Sequence, residues 1–359
     1  GSTAAAFSFG FLAATVYAPM VGMLMDRFGP RVVIPAGALL VSTGMVAMAF
    51  VTRPWHLYLT FGILVGGAST SFSYLGHSLF LPYWFVRNRG LALGLAFSGV
   101  GIGSIFLFPW IQRVIDADGW RVACWIVAAV LFVIIVPLNI FLQRRKPEDL
   151  GLLPDGEIGN RDDEAGHAVD ANVVDHAWAS IDWTLARAVR TARFWWLCVS
   201  FFSSLYAWYA IQVHQTKYLT DLGFTAAVAA FALGFVGLTA CAGQIGLGIL
   251  SDRIGREWVW SISMMGFVIC YLILLAMDAP STYLLYGMVT AQGLLGYGTV
   301  SVYGAIPAEI FKGKQYGRIY GTLTIAGSLG GATGPWVTGL WYDQVGSYVG
   351  AFWIAMLFA

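Results

Sequence analysis

The sequence predicts an all-α polytopic membrane protein, on three observations. Charged residues make up 11% of its 359 positions and mean hydropathy is +0.72, whereas soluble domains carry roughly 25% charged residues. Apolar stretches of membrane-spanning length recur from end to end, parted by short turns of Gly, Pro or charge. Lys and Arg are concentrated in every second turn. A net charge of +1 gives no nucleic-acid surface. Cys124, Cys198, Cys241 and Cys270 stand alone in apolar stretches, without CxxC or metal spacing, and read as buried thiols. No secretory leader pattern stands at the start.

In chain order the spans run 4–25, 32–51, 57–85, 90–112, 121–142, 194–218, 226–250, 258–277, 282–308 and 318–341, with a further one beginning at 348–359. A helix needs about 20 apolar residues to cross hydrocarbon, and its backbone groups must pair internally. Continuous apolar runs do not suit a barrel, whose strands alternate over about ten residues. Arg27 and Arg31 follow the first span, Arg87 and Arg89 the third, and Arg144, Arg145 and Lys146 the fifth. Arg253 and Arg256 follow the seventh, and Lys312, Lys314 and Arg318 the ninth. With Arg161, Arg187, Arg190 and Arg193 these are 16 of the 20 basic residues; Arg53, Arg113, Arg121 and Lys217 lie in the opposite turns. The basic side is expected to face the cytoplasm.

Between 143 and 193 the apolar pattern breaks into a polar linker, rich in Gly and Pro and acidic in its middle. Its histidines His167 and His176 have no metal-like partners. DWTLARAVRTARFWW closes it and reads as a short amphipathic surface helix capped by Asp182. The expected organisation is an N-terminal bundle at 1–142, the cytoplasmic linker at 143–193 and a C-terminal bundle at 194–359.

One device occurs twice. Gly22, Asp26, Arg27 and Gly29 in PMVGMLMDRFGPR return as Gly248, Asp252, Arg253 and Gly255 in GQIGLGILSDRIGR, each 226 positions later. Two similar halves joined by a linker are the mark of a secondary transporter. The turn, with Arg31 and Arg256 completing it, resembles the loop motif of the major facilitator superfamily. That resemblance implies two six-helix bundles, with 4–25 standing second of twelve helices, the first absent, and the twelfth begun near Tyr348 and truncated. The glycine turn would let each Asp sit against a neighbouring helix end, where a charge is worth roughly 0.3–2 kcal/mol. Asp26, Arg27, Arg31, Asp252, Arg253 and Arg256 are therefore candidate gating residues.

Residues 83–99, YWFVRNRGLALGLAFSG, are similar to the monocarboxylate-porter pattern at the start of the fifth helix. GPWVTGLWYDQVGSYVGAF resembles that group's last interhelical connection, and RRKPEDLGLLPDG resembles its bacterial members. The resemblance implies a multi-pass protein of the bacterial inner membrane. It also implies a transporter of a monocarboxylate or related organic acid, working by alternating access as a monomer, with proton coupling as an open alternative.

Polar residues inside the spans are the candidate solute contacts: Tyr74, Gln212, His214, Gln244, Tyr297 and Tyr303. No Asp or Glu lies in the middle of a span, so a coupled proton would need a histidine, with ordinary pKa about 6.5. His214 is the first candidate and His77 the second; hydrogen-bonded core histidines are the alternative. Related porters carry a carboxylate-pairing arginine eight residues before the motif aspartate, where this chain has Gln244. An amide offers hydrogen bonds without charge. That substitution keeps two alternatives open: an exporter of neutral or amphipathic molecules, and a non-transporting receptor on the same fold. No nucleophile–base pair, metal spacing or phosphate loop appears, so no enzyme, cofactor or metal is expected.

Overall fold

The computed structural model describes residues 2–156, 175–311 and 313–359. Lys312, Arg161, His167 and the acidic middle of the linker lie outside the described residues. Among the described residues the elements are helical, and no strand occurs. We number them α1 (Ser2–Phe28), α2 (Pro30–Met48), α3 (54–84), α4 (Arg89–Asp118), α5 (Trp120–Leu142), α6 (Ala192–Asp221), α7 (Ala226–Ile254), α8 (Arg256–Leu275), α9 (282–310), α10 (Tyr316–Val345) and α11 (Val349–Phe358). Six of them, α1, α2, α5, α6, α7 and α8, are long and apolar enough to cross a membrane by length and composition.

The two copies of the repeated motif fold alike. Gly29 separates α1 from α2 at φ 73, ψ 173, and Gly255 separates α7 from α8 at φ 101, ψ 155. That region of backbone space is essentially restricted to glycine, so each turn reverses the chain in a single residue. Pro30 then starts α2 from the position where a missing N–H costs nothing.

Three expected spans are not continuous α-helices, and the one at 121–142 passes through a π turn at Leu131–Ile135. The stretch expected at 57–85 breaks into a π-helix at Tyr58–Gly67, a 3-10 turn at Ser69–Ser71 and two short helices, Tyr74–Ser78 and Leu81–Trp84. Ser69, Thr70 and Ser71 each donate a hydroxyl back to a carbonyl three residues earlier, at 2.9, 2.6 and 2.7 Å. Such back-bonding competes with the helical ladder. The stretch expected at 282–308 widens into a π turn at Ala291–Leu295, followed by a 3-10 turn at Gly296–Gly298. In the linker, Thr184 caps the one-turn helix Leu185–Ala188 by accepting the Arg187 N–H. The expected Asp182 cap is not formed; Asp182 accepts the Lys314 N–H instead.

The chain divides into two compact units, Gly1–Arg89 with Leu107–Phe194 and Pro307–Ile325, and Gly90–Phe106 with Trp195–Ile306 and Ala326–Ala359. Within the first, α1 meets α3 so closely that a Cβ on Gly66 would lie 2.6 Å from the Gly10 Cα. Ile34 and Ala38 of α2 are buried in its core. Within the second, Phe201, Ile211, Phe267, Tyr271 and Phe352 are fully buried. Tyr218 ties α6 to α8 by donating to the Leu274 carbonyl at 2.8 Å.

Candidate solute site and helix-end latches

The motif aspartates reach helix ends that lie far away in sequence. In the first unit, Asp26 accepts the backbone N–H groups of Gly317 and Arg318 at 2.8 and 2.9 Å. In the second, Asp252 accepts those of Gly90 and Leu91, both at 2.9 Å. These N–H groups open α10 and α4, where the first turn has no intrahelical partners and carries the positive end of the helix dipole. Asn88 at the N-cap of α4 makes no side-chain cap of its own, so Asp252 supplies it from another helix. Arg256 adds a hydrogen-bonded ion pair to Asp252, with the two side chains 1% and 9% exposed.

Glycine contacts make both approaches possible. A Cβ on Gly22 would lie 1.9 Å from the Gly317 carbonyl oxygen, and one on Gly248 would lie 2.5 Å from that of Gly90. One turn deeper, Gly321 meets the Ala18 carbonyl and Gly94 meets the Gln244 carbonyl, at 2.5 and 2.3 Å to the added Cβ. Subtraction gives 244 − 18 = 226, the same offset as the motif. The seam α1–α10 and the seam α4–α7 are therefore built alike, with alanine at the position where the other has glutamine. Packing alone does not require a polar side chain there.

The remaining candidate gating residues do other things. Arg27 and Arg253 are exposed, with Arg27 over the Phe28 ring at 5.0 Å. Arg31 donates to the Ile140 carbonyl at 2.7 Å, tying α2 to the end of α5. Arg89 and Glu309 form an ion pair at 3.1 Å with side chains 8% and 11% exposed. Spacing could not join them, since they lie 220 positions apart.

The solute candidates of the second unit fall into three groups. Gln212 of α6 is the centre of the first: its Oε1 accepts the Tyr297 hydroxyl at 2.9 Å and the Gln292 amide at 3.2 Å. Both lone pairs are thereby used, and the N–H pair of Nε2 has no partner among the described residues. Gln292 is fully buried in the π turn of α9, a geometry frequent at functional sites. Among the described residues its Oε1 has no hydrogen-bond partner, nor has either amide atom of fully buried Gln215, one turn from Gln212. Gln244, 3% exposed, likewise has an unpaired Oε1. Buried amides without partners call for a water or a ligand.

His214 belongs to a second group. Its Nε2–H donates to the Pro335 carbonyl at 2.9 Å, and its Nδ1 lies 3.4 Å from the Tyr348 hydroxyl. The ring thus joins α6, α10 and the start of α11. Tyr303 forms a third, in a cluster of near-parallel rings with Phe201 at 3.9 Å and Trp260 at 5.9 Å. In the first unit, Tyr74 begins the short helix Tyr74–Ser78, and His77 on the same turn donates Nδ1–H to the Ser73 carbonyl at 3.1 Å. Sequence reasoning missed Gln292, although a glutamine in TYLLYGMVTAQGLLGYG is as conspicuous as Gln244.

The buried charged side chains among the described residues, Arg89 and Arg256, are both ion-paired. The amide sites carry no full charge, so they can recognise oxygen and nitrogen by hydrogen bonding, with little pull on a bare anion. No group of three or more metal-binding side chains occurs among the described residues.

The sequence profile of the Major Facilitator Superfamily matches residues 1–256 and 200–359. Monocarboxylate transporter 13 of Bos taurus is 25% identical over 341 residues, covering 95% of this chain and 74% of that protein. Monocarboxylate transporter 12 of Rattus norvegicus is 25% identical over 361 residues, covering 95% and 72%. Among solved structures, the E. coli fucose:proton symporter superposes with a TM-score of 0.68 at 17% identity, over 100% of this chain and 87% of that one.

Proposed function

Because this chain belongs to the Major Facilitator Superfamily, a family of multi-pass membrane transporters and not of enzymes, we propose that it moves a small organic acid across the membrane by alternating access. Its bundles would be 1–142 and 194–359, with 143–193 on the cytoplasmic side and the monomer as the working unit. The similarity to monocarboxylate transporters over 95% of the chain supports that branch. Those relatives are mammalian, and placement in a bacterial inner membrane rests on the RRKPEDLGLLPDG segment alone.

The observation that carries the reading is the orientation of Gln212. With its oxygen held by Tyr297 and Gln292, it offers two N–H donors to a solute oxygen. Within the second unit, Gln215 and Gln244 supply further amide groups, and His214 and Tyr303 complete the proposed set; Tyr74 is a separate proposed contact of the first unit. A carboxylate would bind there as the neutral acid or beside a protonated His214; His214, or His77 within the first unit, would carry the coupled proton. A second reading, transport of a neutral solute, is favoured by the ion-paired state of both buried arginines.

A thermal-shift screen of the full-length protein separates the two. The panel is short 2-hydroxy monocarboxylates and the corresponding amides, at pH values about one unit either side of the ordinary histidine pKa of about 6.5. The acid reading expects stabilisation by the carboxylates, stronger at the lower pH and lost in Gln212→Ala. Equal stabilisation by the amides at both pH values would favour the neutral solute. No shift by any compound, or an unchanged shift in Gln212→Ala, would refute the site.

A further inference from the structure

The described ends of the linker are fastened to the two turns that precede the latch helices α4 and α10. At one end, Asp155 adopts a left-handed backbone (φ 59) and accepts three successive N–H groups. Val86 and Arg87 donate at 2.9 Å and Asn88 at 3.4 Å. Successive backbone N–H groups of this kind form an anion-binding concavity. Beside it, the Trp84 indole donates to the Arg144 carbonyl at 3.2 Å, and Lys146 lies 5.0 Å from the Tyr83 ring centre. At the other end, Asp182 accepts the Lys314 N–H at 3.0 Å, and the Trp178 indole donates to the Ile310 carbonyl at 2.9 Å. Gln315 accepts the Leu185 N–H at 3.2 Å, and Trp183 and Phe311 pack edge to face at 5.4 Å. A Cβ on Gly313 would lie 2.6 Å from the Asp182 carboxylate, so only glycine admits this grip.

We infer that the linker is a strap on the latches: Asp155 and Asp182 hold the turns before α4 and α10 in the shape that favours the state closed on the linker side. Connecting α5 to α6 needs neither carboxylate. Each is instead spent on the backbone of a turn whose next residues are gripped by a motif aspartate: Gly90 and Leu91 by Asp252, Gly317 and Arg318 by Asp26. The Arg89–Glu309 pair joins the start of α4, just after one turn, to the end of α9, just before the other, at 3.1 Å, so loosening one turn loosens the other. A charged carboxylate bonded to several N–H groups is a strong tether, and its removal costs the closed state alone if the turns separate on opening. The strap thus sets the resting balance of the alternating-access cycle proposed above, on which the inference rests.

The test uses full-length protein in liposomes and a Ser78→Cys reporter. Ser78 is 1% exposed and its carbonyl accepts the Tyr316 hydroxyl at 3.3 Å. Membrane-impermeant maleimide labelling is read thiol by thiol by mass spectrometry. Native Cys270, fully buried in α8, reports unfolding. Asp155→Ala and Asp182→Ala are each expected to label the reporter about tenfold faster, and the double variant faster still, with Cys270 protected throughout. Equal reporter rates in wild type and double variant would overturn the strap. If either alanine variant exposes Cys270, Asp155→Asn and Asp182→Asn are judged by the same two thiols. A reporter that no variant ever labels, Asp252→Ala included, would instead sink the alternating-access reading.

Discussion

Asp252→Ala is expected to abolish solute flux and to lower the unfolding free energy by about 3–5 kcal/mol, read as a fall in the thermal midpoint. The residue does two jobs. It caps α4 through Gly90 and Leu91, and it neutralises Arg256, which is 1% exposed. Losing the cap costs about 1 kcal/mol; stranding a buried guanidinium costs the larger share. Asp252→Ala combined with Arg256→Leu should therefore recover most of the stability and little of the flux, because the charge is gone while the latch stays broken. Asp26→Ala should be milder, since its two hydrogen-bond donors are backbone N–H groups with no guanidinium bonded to it. Equal losses in Asp26→Ala and Asp252→Ala, or no rescue by Arg256→Leu, would remove the buried pair from the explanation.

The second large effect comes from single methyl groups. In Gly317→Ala the new Cβ would lie 2.3 Å from the Gly22 carbonyl oxygen and 2.6 Å from the Asp26 carboxylate; in Gly248→Ala it would lie 2.5 Å from the Gly90 oxygen. Backbone cannot yield as a flexible side chain does, so the helices must part, at about 1–3 kcal/mol. That corresponds to roughly 5- to 150-fold in the balance between closed and open. Both variants should stay folded, lose flux by about tenfold or more, and expose the linker side to impermeant reagents. Gly246→Ala and Gly99→Ala are the controls, because a Cβ at either position meets nothing within 4 Å. Comparable losses in the controls would show that these helices respond to any added bulk.

How much of this was written in the sequence differs from residue to residue. The spacing of Gly22 and Asp26 against Gly248 and Asp252 revealed a repeat, because a turn that only glycine can make leaves a fixed signature. Their partners were invisible: Gly317 lies 291 residues from Asp26, and backbone N–H groups have no letter in the sequence. The apolar run at 57–85 hid its own interruption, because hydropathy does not register a serine hydroxyl that bonds back to a carbonyl. For the solute site, Gln212 and Tyr297 were legible as polar groups in apolar helices. Their meeting was not, nor was the part of Gln292, 80 residues from Gln212. Tyr303 and His214 show the converse: residues that stand out in a string of apolar letters are, in the structure, engaged by an aromatic stack and by a carbonyl. The value of Gln244 became clear only when its twin proved to be Ala18 in an equivalent seam.

The most direct test of the central claim, that amide groups in the second unit recognise an organic acid which the protein then carries, is counterflow in proteoliposomes. Vesicles loaded with an unlabelled short 2-hydroxy monocarboxylate are presented with the same compound in labelled form. The account predicts transient accumulation of label by the wild type, and a drop of about tenfold or more in Gln212→Ala and in Gln244→Ala with insertion unchanged. Normal counterflow in both variants would contradict it.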